Sequence, residues 1–111
     1  DAGYALLNDR FPEGTGVPVD ALICANDALA TGAMYWLIQR GLQVPRDVAV
    51  VGFNNTSTCD YQQPPLASVE RNHQKLGLTI YDLLSSRIKK PELPKRAITI
   101  PMEFVCKESA G

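Results

Sequence analysis

Two apolar stretches of this chain each end at an asparagine, and these side chains are the first candidates for chemistry. Asn26 follows ALICA, and Asn54 follows VAVVGF, with Asn55 directly after it. An asparagine amide carries two N–H donors and one acceptor oxygen, which suits hydroxyl groups that both give and accept hydrogen bonds. If the two stretches are neighbouring parallel strands, their carboxyl ends share the sheet edge where open α/β folds bind ligands. The pattern predicts a ligand site formed by Asn26 and Asn54.

A purely structural role explains the same asparagines. Asparagine is common at strand ends and helix starts because its side chain bonds to nearby backbone groups. One asparagine in such a place is usually a turn former or a cap, whereas two at equivalent joints favour a ligand role as much as a structural one. On the residues alone, both interpretations remain open.

No other group of residues predicts catalysis or metal binding. His73 is the only histidine and has no nucleophile or second metal ligand at a useful spacing, so we interpret it as a surface residue. Asp20, Asp47 and Asp60 lack an acidic partner, and no glycine-rich phosphate loop or nucleophile motif occurs. We therefore expect a protein that is not an enzyme, with no catalytic residue, no metal and no cofactor.

Composition and cysteine content indicate a small globular domain in a reducing compartment. The 111 residues carry a net charge of −1 and no long run of Lys or Arg, so the chain itself is not expected to bind nucleic acid. Cys24, Cys59 and Cys106 form no C-x-x-C pair, which argues against disulfides and zinc. We interpret Cys24 and Cys106 as packed and Cys59 as a loop residue. No apolar run approaches the ~20 residues that span a bilayer, so we expect a cytoplasmic protein without a membrane partner.

Apolar spacing and breaker residues predict a strand–helix–strand unit around the asparagines. Residues 21–24 and 48–53 are continuous apolar runs, typical of parallel strands that are buried on both faces. Residues 27–40 are expected to form a helix, with Asp27 as the N-cap or first-turn acid and Gly41 just past the end. Such a unit belongs to the α/β fold class.

Further elements flank this unit. Residues 2–11 are predicted to be the end of a helix, residues 72–89 a cleanly amphipathic helix, and residues 97–105 a strand that Pro101 makes an edge strand or an irregular crossing. The helix over residues 27–40 is apolar nearly all round. Because a residual apolar patch usually marks an interface, we expect this helix to contact another chain.

Longer blocks of the sequence resemble the LacI/GalR family of transcriptional regulators. PVDALICANDALATGAMYWLIQRGLQVPRDVAVVGFNN, CDYQQPPLASVERNHQKLG and ITIPMEFVCKES follow one another in the order typical of that family. The resemblance implies a three-layer αβα parallel sheet of the periplasmic-binding-protein type I kind, present only in part. In that family the asparagine of AND and the polar residue after VGF line the effector cleft, and here these are Asn26 and Asn54. The family usually has aspartate at the second position, so asparagine removes one charge and two strong acceptor contacts.

The resemblance also implies how the chain is divided and how it assembles. The implied parts are a C-subdomain βαβ unit with a dimer loop (19–68), a crossing with the amphipathic helix (69–95), and a final strand and tail (96–111). Thr31, Tyr35 and Tyr61 are expected near a two-fold dimer interface. Residues 68–71 are expected to form a hinge strand where the chain leaves one subdomain for the other.

The function implied by the resemblance is that of a cytoplasmic transcriptional repressor that responds to a small sugar or sugar derivative. It would act as a homodimer and contact operator DNA only through a helix-turn-helix headpiece outside this chain. The alternative is a periplasmic sugar-binding protein of a transporter, which shares the fold and the cleft. The unpaired cysteines and the PPLASV segment favour the regulator.

Overall fold

The computed structural model describes residues 2–111 and places four strands in one sheet. They are β1 (Ala21–Ile23), β2 (Ala49–Phe53), β3 (Ala67–Arg71) and β4 (Met102–Val105), and their order in the sheet is the order in the chain. The first three strands are parallel, with Ile23 opposite Val51 and Val51 opposite Ala67. Asn26 lies three residues after Ile23, and Asn54 lies three residues after its partner Val51. They therefore occupy equivalent positions beyond the carboxyl ends of neighbouring strands.

In the described part of the chain, three helices accompany the strands, and the elements confirm the predicted strand–helix–strand unit. They are α1 (Ala2–Arg10), α2 (Asp27–Gln39) and α3 (His73–Lys89), and two short 3₁₀ turns cover Ser57–Tyr61 and Glu108–Ala110. The helix α2 ends at Arg40 as the C-cap. Gly41 follows with a φ of 73°, a left-handed backbone that glycine adopts without a steric penalty.

The core lies between α2 and β2, and α1 closes it on the outer side of α2. Buried apolar side chains of α2 pack with residues of β2 and its surroundings; they include Ala33, Met34, Leu37, Val48, Val50 and Leu66. Trp36 is only 1% exposed, its ring lies 6.1 Å from that of Phe11, and its Nε1 donates to Asn8 Oδ1 at 3.4 Å. The helix α1 therefore covers part of the apolar surface of α2 that the sequence pattern assigned to an interface.

The prediction that both strands of the unit are buried on two faces is wrong. Ile23 of β1 is 85% exposed, and in β2 only Val50 and Gly52 are fully buried while the alternate residues are half-buried. The physical reason is that, in the sheet formed by residues 2–111, β1 is an edge strand that pairs with β2 alone. The helix α2 covers one face of β2, so the side chains on the other face keep contact with solvent.

The predicted packing of Cys106 is also wrong. Cys59 is buried, whereas Cys106, predicted to be packed, is exposed. The burial of Cys59 follows from the 3₁₀ turn, which brings its carbonyl oxygen within 2.9 Å of the N–H of Leu66 and so turns the loop back toward the core. Cys24 is half-buried at the end of β1.

The C-terminal 3₁₀ turn ties β2 to β3 through one serine. Ser109 is fully buried; its Oγ donates to the carbonyl oxygen of Val50 at 2.6 Å and accepts from the N–H of Ala67 at 2.8 Å. The N–H of Ser109 donates to the carbonyl oxygen of Pro65 at 3.0 Å. A single hydroxyl thus satisfies two buried backbone groups where the pairing of the strands begins.

The chain forms two compact units, one made of residues up to Glu70 with Phe104–Gly111, and the other of Arg71–Glu103. In the second unit, α3 begins at the cap Asn72, whose Oδ1 accepts from the N–H of Lys75 at 2.9 Å. The apolar stripe of α3 is exposed, and it includes Ile80, Leu84 and Ile88. The predicted strand over residues 97–105 is shorter than expected and begins at Met102, because Pro101 has no N–H to donate.

Candidate functional site

Asn26 is the N-cap of α2, and the oxygen of its side-chain amide serves this role. Its Oδ1 accepts a hydrogen bond from the N–H of Leu29 at 2.8 Å, and its extended backbone is typical of an N-cap. Of the two roles predicted for Asp27, the N-cap is wrong and the first-turn acid is confirmed, because Asn26 is the cap and Asp27 is the first residue inside the helix. Within residues 2–111, Nδ2 of the half-buried Asn26 makes no hydrogen bond.

Asn54 continues β2 with its backbone and leaves its side chain unbonded. Its N–H donates to the carbonyl oxygen of Val69 at 2.8 Å, which extends the pairing of β2 with β3 by one bond. Its φ is 104°, and that of the next residue, Asn55, is 47°. Residues other than glycine rarely adopt such angles, and asparagine and aspartate tolerate them better than most. In the part of the chain that the structure describes, the Asn54 amide has no hydrogen-bond partner.

Asn55, in contrast, is fully engaged. Its N–H donates to Ser68 Oγ at 3.0 Å, and its Nδ2 donates to Glu70 Oε2 at 3.2 Å. Its Oδ1 accepts from Lys107 Nζ at 2.9 Å, and the same ammonium group pairs with Asp60 Oδ1 at 2.8 Å. The side chain of Asn55 is thus held from both ends, and we assign it a structural role.

A buried carboxylate, which sequence reasoning missed, joins the two strand ends. Asp27 is 2% exposed. Its Oδ1 accepts from Ser68 Oγ at 2.6 Å, and its Oδ2 accepts from Thr56 N–H at 2.7 Å and from Thr56 Oγ1 at 2.9 Å. The partners lie 29 and 41 residues away in sequence, so no local pattern indicates them. The one available signal was an acidic residue beside the cap, which also fits an ordinary first helical turn.

The hydrogen bonds of Asp27 decide its charge. Burial acts to raise the pKa of this carboxyl group, but the bonds from Ser68 and Thr56 outweigh burial and hold the pKa below its ordinary value. Burial, together with the neighbouring Asp27, raises the pKa of the Cys59 thiol. At neutral pH the carboxylate is therefore ionised and the thiol stays protonated, which makes Cys59 a poor nucleophile.

The three residues predicted at a dimer interface lie on the surface of the first unit. Tyr35 is 57% and Tyr61 is 84% exposed. Thr31 is half-buried, and its Oγ1 donates to the carbonyl oxygen of Asp27 at 2.9 Å. A groove of about 350 Å³ runs between α2 and the loop after the first 3₁₀ turn, and Thr31, Tyr35, Ile38 and Gln63 are among its lining residues. Ile38 is also 46% exposed, so this surface combines apolar and aromatic side chains.

Other candidate chemistry is sparse among residues 2–111. His73 is exposed in the first turn of α3. Over those residues, no group of three or more His, Cys, Asp or Glu side chains could hold a metal ion. The same residues contain no helix of the length and apolar character that crossing a membrane requires.

Comparison with known sequences identifies relatives among transcriptional regulators. The family model described as the periplasmic binding protein-like domain matches residues 2–110. The chain is 35% identical over 89 residues to the HTH-type transcriptional repressor PurR of Vibrio campbellii (strain ATCC BAA-1116). That match covers 80% of this chain, and it spans 27% of the length of the repressor.

Several solved structures with the same fold are regulators. A LacI-type transcription regulator from Bifidobacterium animalis subsp. lactis DSM 10140 has a TM-score of 0.85 and 35% identity, covering 100% of this chain and 39% of its own. The complex of the regulator CelR with cellobiose has a TM-score of 0.85 and 30% identity, covering 99% and 33%. The lac repressor dimer bound to operator and an anti-inducer has a TM-score of 0.85 and 29% identity, covering 98% and 37%.

Proposed function

The chain belongs to the periplasmic binding protein-like domain family, as part of the effector-binding core of a LacI/GalR-type transcriptional regulator, and we propose that Asn26 and Asn54 bind its effector. The observation that carries the proposal is the hydrogen bonding at the shared strand edge. Nδ2 of Asn26 and the whole amide of Asn54 have no partner within residues 2–111, whereas the adjacent Asp27, Asn55 and Thr56 side chains are all bonded. Unbonded amides at this edge of a parallel sheet fit a polar-ligand site.

The effector that fits these groups is a small, uncharged carbohydrate or a derivative of one. Nδ2 of Asn26 offers two N–H donors, while the Asn54 amide offers donors and an acceptor. Sugar hydroxyl groups can accept from the first and exchange hydrogen bonds with the second. Neither side chain carries a charge, which suits a neutral ligand. The cellobiose bound in the CelR complex supports this class of effector.

In the full-length protein, effector binding would regulate transcription, most simply as a repressor of the kind its relative PurR is named for. The effector must bind two conformations of the core unequally, because a ligand with equal affinity for both shifts no equilibrium. Operator DNA would be contacted by a headpiece outside this chain. We further propose that the protein works in the cytoplasm and catalyses no reaction, since the polar groups at the strand edge include no paired acid, base or nucleophile.

Calorimetry on the full-length protein tests the site. Asn54→Gly keeps the left-handed backbone that alanine would strain, and it removes only the amide. We expect it to weaken binding of the preferred sugar among cellobiose, D-galactose and D-ribose by about 1–3 kcal/mol, since ligand hydroxyl groups lose partners. Glu13→Gly, which removes an exposed polar side chain from the turn after α1, is the control and should leave affinity unchanged. Unaltered affinity in Asn54→Gly, or no binding of any sugar, would reject the proposed site.

We also propose that the surface around Tyr35 and Tyr61 forms a homodimer contact. The exposed apolar and aromatic side chains there, beside the groove lined by Thr31, fit an isologous interface. The lac repressor, which has the same fold, binds operator as a dimer. This supports a dimer and leaves the choice of surface to experiment.

Sedimentation velocity tests the dimer contact. Tyr35→Asp places a charge on the exposed face of α2, and we expect it to convert the full-length dimer to monomers at low micromolar concentration, because a buried unpaired charge is costly. Gln74→Asp adds the same charge at an exposed position in the first turn of α3, which belongs to the second compact unit, and should leave the dimer intact. If both variants remain dimeric, the interface lies elsewhere.

A further inference from the structure

We propose that Asp27 is a positioning residue, whose carboxylate fixes the turn of residues 54–56 so that the Asn54 amide faces the effector. The inference rests on the proposed function, because it assumes that Asn54 binds the ligand. It adds to that function a group that would not touch the effector, since Asp27 is 2% exposed and its oxygens accept from Ser68 and Thr56.

The contacts of Asp27 reach the turn from two directions. Oδ2 accepts both the N–H and the Oγ–H of Thr56, at 2.7 and 2.9 Å. Oδ1 accepts from Ser68 Oγ at 2.6 Å, and that hydroxyl oxygen accepts from the N–H of Asn55 at 3.0 Å. The carboxylate therefore holds Thr56 directly and Asn55 through one serine, while Asn54 itself is bonded to Val69. All three backbone N–H groups of the turn are thereby fixed.

The turn needs this support because its backbone is unfavourable. Asn54 and Asn55 have φ values of 104° and 47°, in the region that side chains other than glycine rarely adopt. Such a conformation persists where surrounding contacts determine it. The ionised carboxylate of Asp27 accepts three hydrogen bonds here, and hydrogen bonds to ionised groups are stronger than those between neutral groups.

The fold makes room for this carboxylate. Gly52 lies in β2, two residues before Asn54, and a Cβ at this position would collide with Asp27 Oδ1. The carboxylate thus lies directly against the backbone of β2. On the other side of the turn, Lys107 and Glu70 hold the side chain of Asn55. The amide of Asn54 is the one side-chain polar group of the described turn that these contacts leave for a ligand.

A double-mutant cycle for sugar affinity separates positioning from a general structural role. In the full-length protein, Asp27→Asn removes the charge at constant size, and Asn54→Gly removes the amide through which Asp27 is proposed to act. With cellobiose, D-galactose and D-ribose as probes, we expect Asp27→Asn to weaken binding about tenfold in the native background. We expect less than about twofold weakening in the Asn54→Gly background, because coupled residues are not additive. A general loss of folded protein would weaken binding equally in both backgrounds.

Thr56→Val provides a milder second variant if Asp27→Asn fails to fold. It removes one hydroxyl donor from the carboxylate, retains the N–H bond, and lies on an exposed residue. We expect it to weaken sugar binding a few-fold in the native background and not in Asn54→Gly.

The outcomes distinguish the inference from the function on which it rests. If Asn54→Gly weakens binding but Asp27→Asn and Thr56→Val do not, or weaken it equally in both backgrounds, the positioning role is overturned and the site stands. If Asn54→Gly has no effect, or no probe binds, the proposed site fails and the positioning role fails with it.

Discussion

Asn26 offers a perturbation that separates its two roles, because each is assigned to a different atom. Its Oδ1 caps α2 through Leu29, and its Nδ2 is the proposed ligand donor. Asn26→Ala removes both atoms. Asn26→Ser retains a capping oxygen, since serine ranks with asparagine at this position, but its hydroxyl stops one atom short of Nδ2.

The two variants should differ in stability and agree in affinity. Loss of the cap in Asn26→Ala should lower the free energy of unfolding by about 1 kcal/mol, while Asn26→Ser should change it by only a few tenths. Loss of the donor should cost both variants about 1–3 kcal/mol of binding free energy, because a ligand hydroxyl is left unpaired. That corresponds to roughly 5- to 150-fold in affinity.

Urea unfolding and calorimetry on the full-length protein measure the two quantities independently. The ligand role of Nδ2 is refuted if Asn26→Ser binds sugar as tightly as the native protein while Asn26→Ala does not. Affinity would then follow the integrity of the cap, and Asn26 would be a structural residue only.

Three further predictions concern stability and motion. Ser109→Ala leaves a buried N–H and a buried C=O unpaired, so the free energy of unfolding measured in urea should fall by about 2–5 kcal/mol. The control Ser57→Ala, at an exposed position, should leave that free energy unchanged. Because the pKa of Asp27 is lower in the folded than in the unfolded state, its stabilisation is complete above about pH 4 and is lost as pH falls through the folded value. Unfolding curves from pH 6 to 3 should therefore decline less steeply for Asp27→Asn. Hydrogen exchange over residues 68–71 should change when sugar binds. Identical deuterium uptake with and without sugar would contradict the predicted hinge role.

The strand–helix–strand unit and the placement of Asn26 and Asn54 at its strand ends were predictable because their signals are local. Apolar runs, the glycine after the helix and the asparagine before it determine a strand–helix–strand unit within a short window of sequence. The parallel register then places Asn26 and Asn54 at one edge without further information. The identity of the cap was not predictable in this way, since Asn26 and Asp27 are adjacent and either side chain could serve.

The contacts that hold the strands and the turn after β2 in place were not predictable, because they depend on which residues meet across the fold. Asp27 bonds to Ser68 across 41 residues, and Ser109 bonds to Val50 across 59. Serine at either position reads as an ordinary polar residue until the strands are in place. The exposure of β1 was missed for a related reason, since an apolar run indicates burial and does not indicate which faces of a strand have a neighbour.

The structural and ligand-binding explanations of the asparagines are compatible, and together they restrict the choice of residue. Position 54 has a φ of 104°, which favours glycine, asparagine and aspartate. Glycine supplies no polar side chain, whereas asparagine and aspartate both supply an acceptor oxygen for ligand hydroxyl groups, and the acceptor of aspartate is charged. Position 26 requires a capping oxygen, and of the good caps asparagine alone adds an N–H donor. Asn54→Asp should therefore fold normally and bind a neutral sugar at least as tightly, while discriminating more strongly against sugar phosphates because like charges repel. Calorimetry with D-ribose and D-ribose 5-phosphate measures this, and unchanged discrimination would show that the Asn54 side chain does not face the ligand.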